Sequence, residues 1–240
     1  MPFEWTPTYW QGWRETSNPY RQFKSERDRS LTVEALQLRD GEQVLEVGCG
    51  YGWITEALFR SARIRWAGID SSESMVEQLR ARLSDYRPAA SVGDARKIPF
   101  PSNSFDKVLS TGVLMHVPDE YAALKEMVRV LRPGGLLVCS MNNALSPYSV
   151  PVRCLNFFKT GFTQNFRMPR TYRRYLRQLG LRVQDIRGDG LCITEPLSFG
   201  RFSFPPKWAF SFLRSLDQRA VNRIPWLAYE IWFTAVKADG

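Results

Sequence analysis

The sequence predicts an α/β fold: a mostly parallel sheet with helices on both faces. Three observations carry that reading. Short apolar runs alternate with amphipathic stretches from Gln43 to Ser140. The first run, Val44-Leu-Glu-Val47, leads straight into a glycine turn, Gly48-Cys-Gly-Tyr-Gly52. Acidic residues follow the next two runs, at Asp70 and Asp94. Strands spaced by helices imply a parallel sheet covered on both sides, and ligands of such sheets bind at the carboxyl ends of the strands.

The elements follow in order. Residues 3–30 are polar and aromatic, and a helix is expected over Ser25–Leu38, ending before Arg39-Asp-Gly41. Gln43–Val47 reads as a strand, Trp53–Ser61 as a helix and Ile64–Ile69 as a strand. Ser72–Ser84 carries Met75, Val76, Leu79 and Leu83 on one helical face. Ala89–Val92 is a short strand and Lys107–Ser110 a buried one. Pro118 suits the first position of a helix that runs to Leu131, where Arg132-Pro-Gly-Gly135 stops it before a fifth strand, Leu136–Ser140. Beyond Asn142 the pattern loosens: a helix over Pro169–Leu179, a strand over Leu181–Ile186 and a last strand over Ile231–Val236.

With 240 residues and 44% hydrophobic content, the chain can bury a sizeable core. No apolar run reaches the roughly 18–20 residues needed to span a bilayer. The amino end lacks the basic-then-apolar pattern of a secretory signal. Cys49, Cys139, Cys154 and Cys192 are scattered, without zinc or disulfide spacing, which favours a reducing cytosol. With a single histidine, they form no metal-ligand set, and no metal is expected. Charge is uneven. Residues 1–150 hold 18 basic and 18 acidic side chains, whereas residues 151–240 hold 15 and 6, along with 16 of the 32 aromatics. The whole net charge of +9 therefore sits in the carboxyl-terminal part.

A glycine turn lets a ligand lie against bare backbone, and the ligand suggested is nucleotide-like. Glu46, two residues before Gly48, faces whatever occupies the turn. A carboxylate there repels a pyrophosphate and welcomes an ammonium group. Asp70, 20 residues after Gly50, can accept both hydroxyls of a ribose, or can cap the helix after Ser71-Ser72. Asp94 can accept an adenine amine, or can be an ordinary turn residue. Three further stretches add to these: Ile98-Pro-Phe-Pro-Ser-Asn-Ser-Phe-Asp106, Val108-Leu-Ser-Thr-Gly-Val-Leu-Met-His-Val117 and Met127-Val-Arg-Val-Leu-Arg-Pro-Gly-Gly-Leu-Leu-Val138.

Over about residues 27–141 these motifs, in order and spacing, resemble the class I S-adenosylmethionine-dependent methyltransferases. The likeness is to the small-molecule branch that includes the quinone-biosynthesis enzymes. It implies a Rossmann-like, seven-stranded, mostly parallel sheet with the last strand antiparallel. It also implies S-adenosyl-L-methionine as cofactor and S-adenosyl-L-homocysteine as product. Carried over residue by residue, it puts Glu46 on the methionine ammonium, directly or through water. Gly48, Cys49, Gly50 and Gly52 line the cofactor, Asp70 binds the ribose, Ser71 is a further cofactor-binding residue, and Met75 packs near the adenine. Asp94 and Ala95 bind the adenine edge, and Ser110 and Thr111 lie near the methionine portion. Arg27 is the candidate for the cofactor carboxylate, with Arg29 and Arg21 as rivals. The residue chemistry agrees, since this cofactor has an ammonium, a ribose and an adenine but no phosphate.

His116 is the candidate catalytic residue, as a base or as a positioning group near the methyl acceptor. The expected layout is one domain. Residues 1–30 cap it, residues 31–141 form the cofactor-binding core, and residues 142–240 form a basic, aromatic substrate-side region with the final strands. That last region has three readings: a lid over the acceptor, a contact with an anionic membrane, or a nucleic-acid surface. Trp208, Phe212 and Leu216 recur at helical spacing, flanked by Lys207, Arg214, Arg219 and Arg223. The acceptor expected is a small or lipid-like molecule. An RNA or protein methyltransferase, or a cofactor-binding module without transfer, are the alternatives. The chain has no Asn-Pro-Pro-Tyr-type stretch after the fourth strand, which counts against a base-methylating enzyme.

Overall fold

The alternating apolar runs become one seven-stranded sheet in the computed structural model. It describes residues 19–147, 149–150, 154, 164–190, 197–199, 202–204, 219–221 and 223–239. The expected aromatic segment before residue 19 and the stripe of Trp208, Phe212 and Leu216, with Lys207 and Arg214, lie outside the described residues.

In chain order the elements are α1 (Pro19–Leu36), β1 (Gln43–Val47), α2 (Thr55–Ser61), β2 (Arg65–Asp70), α3 (Glu73–Arg82), β3 (Ala89–Val92) and β4 (Phe105–Ser110). There follow α4 (Glu120–Val130), β5 (Leu131–Asn142), α5 (Pro169–Gln178) and β6 (Leu181–Asp189). A small ribbon of β7 (Leu197–Phe199) and β8 (Phe202–Phe204) precedes β9 (Glu230–Lys237). The large sheet has the order β3-β2-β1-β4-β5-β9-β6. Its first five strands pair in parallel, and β9 runs antiparallel between β5 and β6. The order reverses between β1 and β4, where an open α/β sheet leaves its crevice.

Both faces of the sheet are buried, so the strands read as continuous apolar runs. Neighbouring residues point to opposite sides. Val44, Leu109, Val138 and Trp232 pack with Leu31 and Leu36 of α1, Leu58 of α2 and Leu79 of α3. Leu45, Val108, Leu137 and Phe233 pack with Leu124 and Met127 of α4 and with Tyr172 and Leu176 of α5. Two lysines cap helix ends, where carbonyls lack intrahelical partners. Buried Lys107 donates to the carbonyls of Leu36 and Gln37 at the end of α1. Lys237 donates to the carbonyls of Val128 and Leu131 at the end of α4.

Several boundaries differ from the sequence expectation. Among the described residues α1 already runs from Pro19, ahead of the expected Ser25. α4 starts at Glu120 rather than Pro118, because the Asp119 side chain caps it by accepting from the Ala122 N–H. β5 begins directly at Leu131, which pairs with Phe105; the register then breaks and resumes at Lys107 against Leu136. The Pro133-Gly134-Gly135 stretch thus kinks a strand that it was expected to precede.

Candidate active site

The carboxyl ends of β1 to β4 open onto a cavity of about 730 Å³. The glycine turn forms one wall. The N–H groups of Gly48 and Cys49 donate to the Ile69 carbonyl at 2.7 and 3.1 Å, tying the turn to β2. Gly48, Gly50 and Gly52 all have positive φ. A Cβ at Gly48 would lie 2.1 Å from the Val113 side chain, and one at Gly52 would lie 2.9 Å from Leu79. A Cβ at Gly50 would meet nothing within 4 Å. Two of the glycines therefore serve packing, and the third bares its backbone to the cavity.

Asp70 closes β2 beside this turn. Its carboxylate accepts from the Gly50 N–H at 2.8 Å and from the Ser72 N–H at 3.0 Å. Burial raises its pKa, and these backbone donors pull it back. The Ser71 N–H is a third backbone donor, so a carboxylate's roughly four lone-pair sites are not all taken. The cavity is acidic: Asp70, Glu73, Glu77 and Asp94 line it, against a single guanidinium from Arg96.

Glu46 lies behind the turn, buried in β1, and does not line the cavity. Its Oε2 accepts from the Thr55 hydroxyl at 2.8 Å and from the Trp66 indole at 3.1 Å. Burial pushes its carboxyl up to about 8; the Thr55 and Trp66 donors act against that shift, and Asp70 adds to it. Among the described residues, its Oε1 accepts no hydrogen bond.

Of the sequence-predicted residues, Gly48, Cys49, Gly50, Asp70, Ser71, Met75, Asp94, Ala95, Thr111 and His116 all line the cavity. Four others do not. Glu46 and Gly52 sit behind the turn, as described. Ser110 is fully buried in β4, and among the described residues its hydroxyl makes no hydrogen bond. Arg27 points elsewhere, with Nε 3.8 Å from Asp189. Its rival Arg29 lies over the Trp53 ring, 5.5 Å from the centroid, and Trp53 lines the cavity. Arg21 has no described side chain. The Asp94 carboxylate is held by the Arg96 guanidinium at 2.6 Å, which lowers its pKa. That pairing leaves it less available for an adenine amine than its position suggested.

His116 ends a short turn, Leu114–His116, on the far wall. Burial holds its imidazolium down at about 4, with Glu230 acting weakly in the opposite sense. The ring is therefore neutral at pH 7. Sequence reasoning missed Trp53 as a wall residue. Its one available signal was an aromatic immediately after the last glycine of the turn.

A parallel sheet, a glycine turn at its reversal point and an acidic cavity at the carboxyl ends of its strands define a Rossmann-like domain. Residues 45–139 match the family described as "Methyltransferase domain". That segment is similar in sequence to methyltransferase domains. A protein of transposon TN4556 from Streptomyces fradiae is 43% identical over 116 residues, which are 46% of this chain and 33% of that protein. The demethylmenaquinone methyltransferase of Staphylococcus aureus is 40% identical over 114 residues, 46% of this chain and 47% of the enzyme. The chain thus matches a third to about half of the length of these curated relatives. In structure, it resembles a chain of the complex between the Haloferax volcanii Trm112 methyltransferase activator and a putative methyltransferase. The TM-score is 0.66 at 22% identity, covering 91% of this chain and 93% of the other. That likeness is one of fold.

Proposed function

We propose that this protein transfers a methyl group from S-adenosyl-L-methionine to a small or lipid-like acceptor. The observation that carries the reading is the acidic cavity at the glycine turn. Four carboxylates against one guanidinium disfavour a pyrophosphate and suit a ligand bearing a sulfonium and an ammonium. The bare Gly50 backbone and the remaining lone pairs of Asp70 fit the cofactor's sugar end. When bound, the cofactor supplies a methyl group already activated on sulfur.

The chain's own residues then position and exclude. Asp70 accepts the ribose hydroxyls. Met75 and Ala95 bound the adenine, and Asp94 reaches its edge only by sharing with Arg96. Thr111 and Gly112 lie at the methionine portion. Glu46 offers its unused oxygen to the ammonium, directly or through water. Arg29 takes the carboxylate role first considered for Arg27, because it stacks on Trp53, which lines the cavity. His116 orients the acceptor as a neutral hydrogen-bonding group, since alignment of acceptor, methyl and sulfur is a large part of such a transfer.

The test is a melting experiment with the cofactor. At a hundredfold excess over its dissociation constant, a ligand of the native state adds about 2.7 kcal/mol. For a chain of this size that raises the melting temperature by roughly 5–10 °C. No rise with either S-adenosyl-L-methionine or S-adenosyl-L-homocysteine would remove the cofactor assignment.

A further inference from the structure

Of the six exposed large apolar residues among the described residues, Leu145, Val150, Met168 and Trp226 lie on segments that converge through backbone contacts on one buried residue, Asn143. The Asn143 amide donates to the Trp226 and Ala228 carbonyls, and its oxygen accepts from the Leu145 N–H. A bridge joins Asn143 to Arg167, next to Met168. Ser149, beside Val150, donates to the carbonyls of Ala144 and Ser146. Isolated exposed apolar residues are ordinary, but a contiguous group marks an interaction surface.

Basic residues flank this group. α5 starts just after Met168 and buries Pro169, Tyr172 and Leu176. Arg170, Arg173, Arg174 and Arg177 cover its outer side and are exposed. Among the described residues none of these four pairs with a carboxylate, whereas Arg129, Arg132, Arg167 and Arg187 each do. Exposed Arg223 adds a further cation three residues before Trp226. An apolar centre with an uncompensated basic flank complements the interface of an anionic bilayer.

We propose that this surface docks on an anionic membrane, with Trp226, Leu145, Val150 and Met168 entering the interface and the α5 arginines on lipid headgroups. The proposal rests on the methyl-transfer reading for its purpose and narrows the acceptor to a membrane-borne lipid. The position fits. Asn143 follows β5 and Trp226 precedes β9, so the patch lies at the same end of the sheet as the cavity. Asn165, three residues before Met168, donates to the Met115 and Val117 carbonyls on either side of His116. The docking segment is thereby fastened to the turn on the acceptor wall. No helix among the described residues is long and apolar enough to cross a membrane, so the contact is peripheral.

Flotation of the full chain with vesicles tests this. Binding is expected to vesicles of phosphatidylcholine mixed with phosphatidylglycerol, weakly or not at all to phosphatidylcholine alone, and to fall at high salt. A basic side chain near an anionic surface contributes about fivefold in partition, so Arg170→Gln, Arg173→Gln and Arg177→Gln together should weaken binding by about 100-fold. Trp226→Ser, an exposed change, should weaken it without the salt-sensitive part changing. Calorimetry with S-adenosyl-L-homocysteine should give the wild-type affinity for both variants, which separates docking from folding and from the cofactor site. Equal binding to both vesicle types, or unchanged binding by both variants, overturns the proposal. So does salt-sensitive binding to a structured RNA without vesicle binding. If the cofactor fails to bind while vesicles do bind, the methyl-transfer reading falls and the surface stands.

Discussion

At the scale of single residues, the two buried titratable groups near the cavity make opposite predictions. Glu46 is protonated at pH 7 in the empty protein, because burial holds its carboxyl up at about 8. An ammonium group nearby favours the charged form. Cofactor binding should therefore expel a proton, and affinity should rise with pH until about 8. Calorimetry at pH 7 in buffers of different ionisation enthalpy should show a release that Glu46→Gln abolishes. Absence of release in the wild type would sink the ammonium role. The same shift affects stability. Between its ordinary 4.5 and about 8 the folded state holds a proton that the unfolded state does not, so stability falls as pH rises through that window. His116 is shifted the other way, to about 4. A base this weak titrates below the working range. The pH–rate profile should show no limb near 6.5, and His116→Ala should cost less than about tenfold. A loss of about 100-fold or more, with a limb that vanishes in the variant, would restore the general-base role.

At the scale of elements, the glycine turn separates packing from binding. Gly48 and Gly50 share the left-handed backbone, which costs an L-residue roughly 1–2 kcal/mol. Only Gly48 adds a collision, with Val113. Gly48→Ala should therefore lower the melting temperature clearly more than Gly50→Ala. Gly50→Ala should instead lose cofactor affinity out of proportion to its stability cost. Equal loss of stability in both would contradict the assignment of roles. The turn was legible in sequence because glycine at such spacing has few other uses. The strands were legible because a sheet buried on both faces demands unbroken apolar runs. Helix starts were less so, since Asp119 could be recognised as the cap of α4 only once its side chain was seen accepting from Ala122. The choice between Arg27 and Arg29 was not legible at all. Residues two positions apart on a helix are separated by about 200°, and only the docking of α1 decides which one meets Trp53 and which one meets Asp189.

At the scale of the molecule, the first described helix is joined to the last strands through charge. Lys24 of α1 pairs with Asp28, with Glu230 at 2.7 Å and with Asp189 at 3.0 Å. All four side chains are largely buried. Sequence cannot bring residues 24, 189 and 230 together, because nothing local records that β9 inserts between β5 and β6. Burial alone would depress Lys24, but the carboxylates of Asp28, Glu230 and Asp189 hold its pKa well above the ordinary value. The ammonium is thus the neutralising centre of the group, not a surface ion pair. Lys24→Met leaves three buried carboxylates facing one another, with Arg27, 3.8 Å from Asp189, beside them. Loss of one partner from a buried ionic group costs about 3–5 kcal/mol. For this chain length that lowers the melting temperature by roughly 6–20 °C at pH 7. Mutual repulsion and burial would raise the carboxylate pKa values in the folded variant, so its folded state binds protons that its unfolded state does not. Stability of the variant should therefore recover as pH falls from 7 toward 5, narrowing the gap to the wild type. Melting curves at the two pH values check this. A variant that melts with the wild type at pH 7, or whose deficit is the same at pH 5, would show that the cluster does not join the first helix to the last strands.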